Sequence, residues 1–326
     1  MSLTQEPLTP RPPVSPRAGA FIDSFEGAHV RGQPKGASRT VRLICEVFSI
    51  IAEEQENDDA EELVASIQAA ADYFVATRGK MTPAIPNGIY TVLDGLEAEA
   101  TSVRQIQQFV SARVQQYIAR SEQAVRQIFD VGADLLADQM TVLAYDYSST
   151  VVGIIRRAGE IGKKLKLIIP ESRSLNGGLP IVKAAVESGH QVLYTTDSAI
   201  GQQLARAEVA LIGVESITAA GGCWNTTGSL MVAVLAHHWN VSLYAPTELN
   251  KFDFRSLGGE IREVKWFDLP AIAVNDPILQ HEAITVKCQD LDYVPPEFIT
   301  AFITENGALS TQDAVVAAQA FRFAYN

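Results

Sequence analysis

Thr141-Val142-Leu143-Ala144-Tyr145-Asp146-Tyr147-Ser148-Ser149-Thr150 decides the fold class of this chain. Its opening apolar run, closed by a polar turn rich in hydroxyls, suits a strand buried on both faces that leads into a helix N-terminus. The pattern repeats downstream. Residues 141–144, 165–169, 191–194, 209–212 and 241–244 read as buried strands. Between them, 151–161, 178–188, 199–205 and 228–239 carry helical spacing. Such alternation predicts an α/β domain with a parallel sheet covered by helices on both faces.

Upstream of residue 139 the pattern is helical. Ser38 is expected to cap a helix reaching about Glu54, with Val41, Leu43, Ile44, Val47, Phe48 and Ile51 on one apolar face. Residues 53–62 hold seven acidic side chains and read as a solvated turn. A second helix reaches about Thr77, and a Gly/Pro-rich loop spans 79–88. A long amphipathic helix is expected over 102–129, with Ser121 the one polar break in its apolar stripe. The division is therefore a flexible arm over 1–20, a helical domain over 21–130 and an α/β domain over 131–326. The arm carries five prolines in its first sixteen residues. It lacks the apolar segment of a secretory signal and reads as a flexible arm or a Pro-rich partner-binding segment.

The composition narrows the function classes. Of 326 residues 47% are apolar, enough for a sizeable core, and 26 basic against 38 acidic side chains give a net charge of −12. That balance argues against nucleic acid and anionic membrane as partners over the whole surface. No apolar run is long enough to span a bilayer. Cys45, Cys223 and Cys288 show neither CxxC nor zinc-ligand spacing, so a reduced, cytoplasmic setting without metal or other cofactor is expected.

In open α/β sheets ligands bind beyond the carboxyl ends of the strands. Those positions here hold Tyr145 to Thr150, then Glu171-Ser172-Arg173, then Thr196-Asp197-Ser198. Gly213 to Ser229 and Glu248-Leu249-Asn250-Lys251 follow. Ser148, Ser198 and Thr226 are candidate N-caps. Five polar strand-end loops that include Arg173 and Lys251 favour an anionic ligand. Neither a GxGxxG fingerprint nor a Walker loop is present, which argues against NAD or ATP.

These loops resemble the translation initiation factor 2B family. The matching runs are 170–173, 196–199, 213–217 with Asn225 and Gly228, 248–252, 293–300 and 303–307. Weaker matches are Val30-Arg31-Gly32 with Gly36, and Thr82 to Asn87. The family's regulatory subunits share a fold with methylthioribose-1-phosphate isomerase and ribose-1,5-bisphosphate isomerase. The resemblance implies a helical domain preceding a Rossmann-like one. It also implies a phosphorylated sugar bound between them, and a homodimer or larger homo-oligomer built through the C-terminal domain. Arg31, Gly32, Asn225, Asn250 and Lys251 match the ligand positions. Asn87, Glu171, Arg173 and Asp197 are further candidates for substrate contact.

The chain departs from the isomerase pattern at the residues that carry the chemistry. Asp146 stands at the position of the family's cysteine, and Gly222 at that of its catalytic aspartate. Asn225-Thr226 replaces an Asn-Lys pair. One reading is an aldose–ketose isomerase in which Asp146 is the base and Cys223 its partner. The other is a regulatory protein that binds a phosphosugar or nucleotide without turning it over, with Cys223 a small buried apolar residue. A retained phosphate pocket (Arg31, Asn225, Lys251) with Asp146 pointing into it favours the first. A pocket filled by Trp224 or by Tyr145 to Tyr147 favours the second.

Overall fold

The computed structural model describes residues 11–30, 36–99, 101–174, 176–260, 262–269 and 277–323. The chain divides into two compact units. One runs to Gln123 and takes in the residues from Phe321, and the other is Ala124–Ala320.

The first unit is helical: α1 (Pro16–Val30), α2 (Ala37–Glu53), α3 (Ala60–Phe74), α4 (Ala84–Leu93), α5 (Leu96–Glu99) and α6 (Val103–Leu135), whose later turns belong to the second unit. The apolar face of α2 buries Val41, Ile44, Val47, Phe48 and Ile51. They share one core with Ile67 and Phe74 of α3, Ile89 of α4, and Ile106, Val110 and Val114 of α6. Ser121, the polar break in the α6 stripe, is buried and receives a hydrogen bond from Arg42 Nη1 at 3.2 Å. One buried hydroxyl is therefore satisfied without breaking the helix.

Three local expectations change. Helix α1 opens at Pro16, inside the expected arm, and buries Ala18 and Ile22. Gly36, not Ser38, precedes α2, and no side chain caps it. Helix α4 begins at Ala84 within the expected loop, so Asn87 is helical. Pro86 fits there because the first turn of a helix has no intrahelical partner for its N–H groups.

The second unit contains a seven-stranded sheet. Its strands are β1 (Thr141–Tyr145), β2 (Lys166–Pro170), β3 (Gln191–Thr195), β4 (Val209–Ile212), β7 (Ser242–Pro246), β11 (Ala301–Thr304) and β12 (Gly307–Leu309). The spatial order is β12-β11-β7-β4-β1-β2-β3, parallel throughout except for β12. Helices α7 (Ser149–Glu160), α8 (Gly178–Glu187), α9 (Ile200–Leu204), α10 (Ser229–His238) and α11 (Thr311–Phe323), the last as far as Ala320, complete the unit. Strand alternation divides the core. Leu143, Tyr145, Ala210 and Ile212 pack with α9, α10 and α11 on one face. Val142, Ala144, Leu167 and Leu211 pack with α7 and α8 on the other. Strand β3 departs from the buried reading, because it ends the sheet and leaves Leu193 and Tyr194 exposed.

The stretch after β4, read as one loop, instead forms β5 (Ser216–Ile217) and β6 (Cys223–Thr226). With β10 (Leu291–Val294) they make a small antiparallel sheet. A hairpin, β8 (Trp266–Asp268) with β9 (Lys287–Gln289), lies before β10. His190, just before β3, is buried. Its Nδ1 accepts from Leu165 N–H at 3.1 Å and its Nε2 meets the Ile155 carbonyl at 2.8 Å. Among the described residues no helix is long and apolar enough to cross a membrane.

Candidate functional site

Strands β1 and β4 are neighbours at the middle of the sheet. The chain leaves β1 towards the β2 side and leaves β4 towards the β7 side. That divergence is the switch point at which doubly wound sheets bind ligands. Asp146 is the first residue beyond β1.

Asp146 is 3% exposed and holds the left-handed conformation, with φ +58°. Its Oδ1 accepts from the Ser172 hydroxyl at 2.6 Å. Its carboxyl also receives hydrogen bonds from the Thr226 side chain and the Tyr147 backbone N–H. Burial raises its pKa above the ordinary carboxylate value. The donors oppose that rise, and the charge of Asp197 adds to it. Ser172 is fully buried and also left-handed, with φ +47°. Two hydrogen-bonded non-glycine residues in a costly backbone region, at adjacent strand ends, mark a place where the fold spends stability on geometry. Gly177 closes over the pair. A Cβ added there would lie 1.9 Å from Asp146 Oδ1, so only glycine fits.

The network extends to β3. Asp197 accepts from the backbone N–H of Ser172 at 2.9 Å and of Arg173 at 2.8 Å. It thereby fastens the loop after β2. Arg173 reaches Glu171 at 3.4 Å and is largely exposed. Asp146, Glu171, Arg173 and Asp197 are thus brought together, with Ser172 as the link.

A second group lies after β4 and β7. Asn225 is buried and donates to Ser229 Oγ at 2.8 Å. Asn250 and Lys251 are buried in the turn after β7, and Lys251 Nζ donates to the Val214 carbonyl at 2.8 Å. Lys251 therefore ties the loop after β7 to the loop after β4. Asn87 is half-buried on α4 in the helical unit. Arg31 and Gly32 lie outside the described residues.

Cys223 does not join Asp146. Alternation along β6 turns Cys223 and Asn225 to the buried face, while Thr226, on the other face, bonds to Asp146. Cys223 packs among Ile217, Leu249, Phe252 and Val294, and burial pushes its thiol up to about 12. A thiol so held is protonated and inert at neutral pH, which removes it as the acid/base partner.

The position of the missing aspartate is closed. A Cβ at Gly222 would lie 2.4 Å from the Tyr293 hydroxyl and 2.7 Å from the Val294 carbonyl. Tyr293 pairs across strands with Trp224, with ring centroids 5.3 Å apart. Tyr145 reaches the residue just beyond β6, and its hydroxyl donates to the Thr227 carbonyl at 2.9 Å. Tyr147 lines a cavity of about 550 Å³ with Phe129, Arg126 and Arg156.

Of the expected caps, Ser148 holds: it accepts from Val151 N–H at 3.3 Å. Thr226 and Ser198 do not cap. Helix α10 opens at Gly228, and Asp292 of β10 accepts from Gly228 N–H at 2.7 Å and Leu230 N–H at 3.2 Å. That carboxylate occupies the helix end read as open to an anion. Ser172, Thr226, Gly177 and Tyr293 are the site residues that sequence reasoning missed. Nothing local flags them, because each acts on a residue distant in sequence.

The ribose 1,5-bisphosphate isomerase of Methanocaldococcus jannaschii is 26% identical over 280 residues, 86% of this chain and 88% of the relative. A putative translation initiation factor eIF-2B subunit 2-like protein of Pyrococcus furiosus is 26% identical over 275 residues, 84% of this chain and 91% of the relative. The crystal structure of the Pyrococcus horikoshii translation initiation factor eIF-2B superposes with a TM-score of 0.73 at 22% identity. That match covers 93% of this chain and all of the other. The model of the initiation factor 2 subunit family matches residues 32–311, and the chain belongs to that family.

Proposed function

We propose that the protein handles a phosphorylated sugar and isomerises it between aldose and ketose with Asp146 as the proton-transfer group. The carrying observation is a buried carboxylate at the switch point, its pKa raised by burial, in direct hydrogen bonds with two side-chain hydroxyls. Isomerisation moves a proton between adjacent carbons of the opened sugar and another between their oxygens. A carboxylate with raised pKa suits the carbon transfer at neutral pH. Ser172 and Thr226 can pass the oxygen proton. Asn225, Asn250, Lys251 and Arg173 are the proposed contacts to phosphate and sugar hydroxyls, with Glu171 and Asp197 holding the loops. Arg31, Gly32 and Asn87 stand as proposals on the family resemblance alone. The relative named a ribose 1,5-bisphosphate isomerase supports the reaction class. Self-assembly through the Rossmann-like unit belongs to the same proposal, supported by exposed Leu230, Met231 and Val234 on α10. A cytoplasmic location is also part of it.

A second reading is a phosphosugar- or nucleotide-binding regulatory protein without turnover. It is favoured by the filled Gly222 position and by the closure of Ser172 and Gly177 over Asp146.

The test is a thermal-shift screen of pentose and tetrose phosphates and nucleoside monophosphates, followed by NMR assay of each hit. A ligand at a hundred times its Kd stabilises by about 2.7 kcal/mol. Asp146→Asn is expected to abolish turnover and retain binding. Turnover unchanged in that variant refutes Asp146 as the base. Binding without turnover in the wild type establishes the second reading.

A further inference from the structure

Asn250 and Lys251 sit on a turn that is fastened from the neighbouring hairpin. Thr247 N–H donates to the Ile303 carbonyl at 2.9 Å. Leu249 N–H donates to both oxygens of Glu305, at 3.3 and 3.2 Å. Glu305 occupies the tight turn between β11 and β12. A single carboxylate thus holds the backbone immediately before the two candidate phosphate contacts.

The electrostatics of this contact are unusual. Glu248, itself buried, is the charged neighbour acting on Glu305, and hairpin residues 301–309 carry no other titratable side chain. Lys251, the other charged residue of the turn, directs its ammonium to the Val214 carbonyl. Burial, with the like charge of Glu248 added, pushes Glu305 up to about 7, against the opposing hydrogen bonds of its own backbone N–H and of Leu249 N–H.

We infer that Glu305 is a positioning residue of the proposed site: its carboxyl group fixes the 248–252 turn that presents Asn250 and Lys251, and its deprotonation loosens that turn. The inference rests on reading Asn250 and Lys251 as phosphate contacts. Burial beside Glu248 disfavours the ionised form, so the closed turn binds the Glu305 proton more tightly than an opened, solvated one. The grip on Leu249 therefore weakens as pH rises through neutrality. Conversely, a phosphate dianion held beside this turn raises the proton affinity of Glu305, so binding takes up protons.

Two measurements test this. The first is hydrogen exchange of the Leu249 amide at pH 6 and pH 8, corrected for intrinsic rates, in wild type, Glu305→Gln and Glu305→Ala. The expected result is protection about tenfold greater at pH 6 than at pH 8 in the wild type. Glu305→Gln should show equal protection at both pH values, and Glu305→Ala should lose most of it. Wild-type protection independent of pH, or a Gln variant that follows the wild type, overturns the inference. The Gln variant keeps size and one acceptor, so this arm stands even if the Ala variant fails to fold. The second is calorimetric titration of ribose 5-phosphate at pH 7 in two buffers of different ionisation heat. The wild type should take up more protons than Glu305→Gln, and equal uptake overturns the coupling. Absence of ribose 5-phosphate binding to either protein counts against the phosphosugar reading, and amide exchange then decides the role of Glu305 by itself.

Discussion

Gly222 stands where the family resemblance places a catalytic acid, and the structure sets a physical cost for a side chain there. A side chain there meets the Tyr293 hydroxyl at 2.4 Å, the ring carbon bearing it at 2.6 Å and the Val294 carbonyl at 2.7 Å. Two of those contacts belong to a side chain that can move, and the third to strand backbone that moves only with the ladder to β6. Overpacking of this kind costs about 1–3 kcal/mol. The lower backbone entropy of the unfolded variant returns about 0.4–1 kcal/mol. Gly222→Ala is therefore expected to destabilise the protein by about 1–2 kcal/mol. Tyr293→Val is destabilising by itself, since it removes the ring packed on Trp224 at 5.3 Å. Combined with Gly222→Ala it relieves the two side-chain contacts. The double variant should thus be more stable than the sum of the single changes by about 1 kcal/mol, a coupling typical of residues in contact. Urea unfolding of the four proteins, with m held common, supplies the cycle. A Gly222→Ala variant within 0.5 kcal/mol of wild type, or additivity within about that margin, refutes the packing argument. The double variant Gly222→Asp with Tyr293→Val then shows whether room for the acid brings turnover.

Other expectations follow from the same coordinates. Glu305 has its folded pKa raised from 4.5 to about 7. Its neutral form thus favours the fold below pH 4.5, and that contribution is lost as pH rises through 7. At 1.36 kcal/mol per tenfold change in proton affinity, Glu305→Gln should be more stable than wild type at pH 8 by up to about 3 kcal/mol. Urea midpoints from pH 4 to 8 check this, and a difference that does not vary with pH refutes it. His190→Ala leaves Leu165 N–H and the Ile155 carbonyl without their buried partner. At about 1–3 kcal/mol for each orphaned group, unfolding should show a loss of several kcal/mol, and a loss near zero excludes the clamp. Asp292→Ala removes the acceptor of two N–H groups at the start of α10. It should cost about 1–2 kcal/mol in the same assay, the usual loss for a helix cap.

The parallel sheet was legible because burial on both faces writes itself into short apolar runs. Residues 141–144 and 209–212 needed no partner to be recognised as strands. The helical unit was legible for the same reason at a period of 3.6, and Ser121 was visible as an anomaly before Arg42 explained it. Turn chemistry was less legible. Ser148 caps as its residue type suggests, but Thr226 lies in a strand and Asp292 caps in its place. A cap needs only an oxygen at the right distance, and a strand distant in sequence can supply one.

The site divides along the same line. By itself the sequence determined which loops gather at the carboxyl edge of the sheet and that Asp146 and Gly222 replace the expected pair. Those facts depend on local pattern and alignment. Only tertiary structure decided that Asp146 bonds to Ser172 and packs against Gly177, that Cys223 faces the core, and that Tyr293 crowds Gly222. Asp146 and Ser172 lie 26 residues apart in the chain, and Gly222 and Tyr293 lie 71 apart. Hydrogen bonds and steric exclusion act over a few ångströms of space, and no spacing in one dimension encodes them.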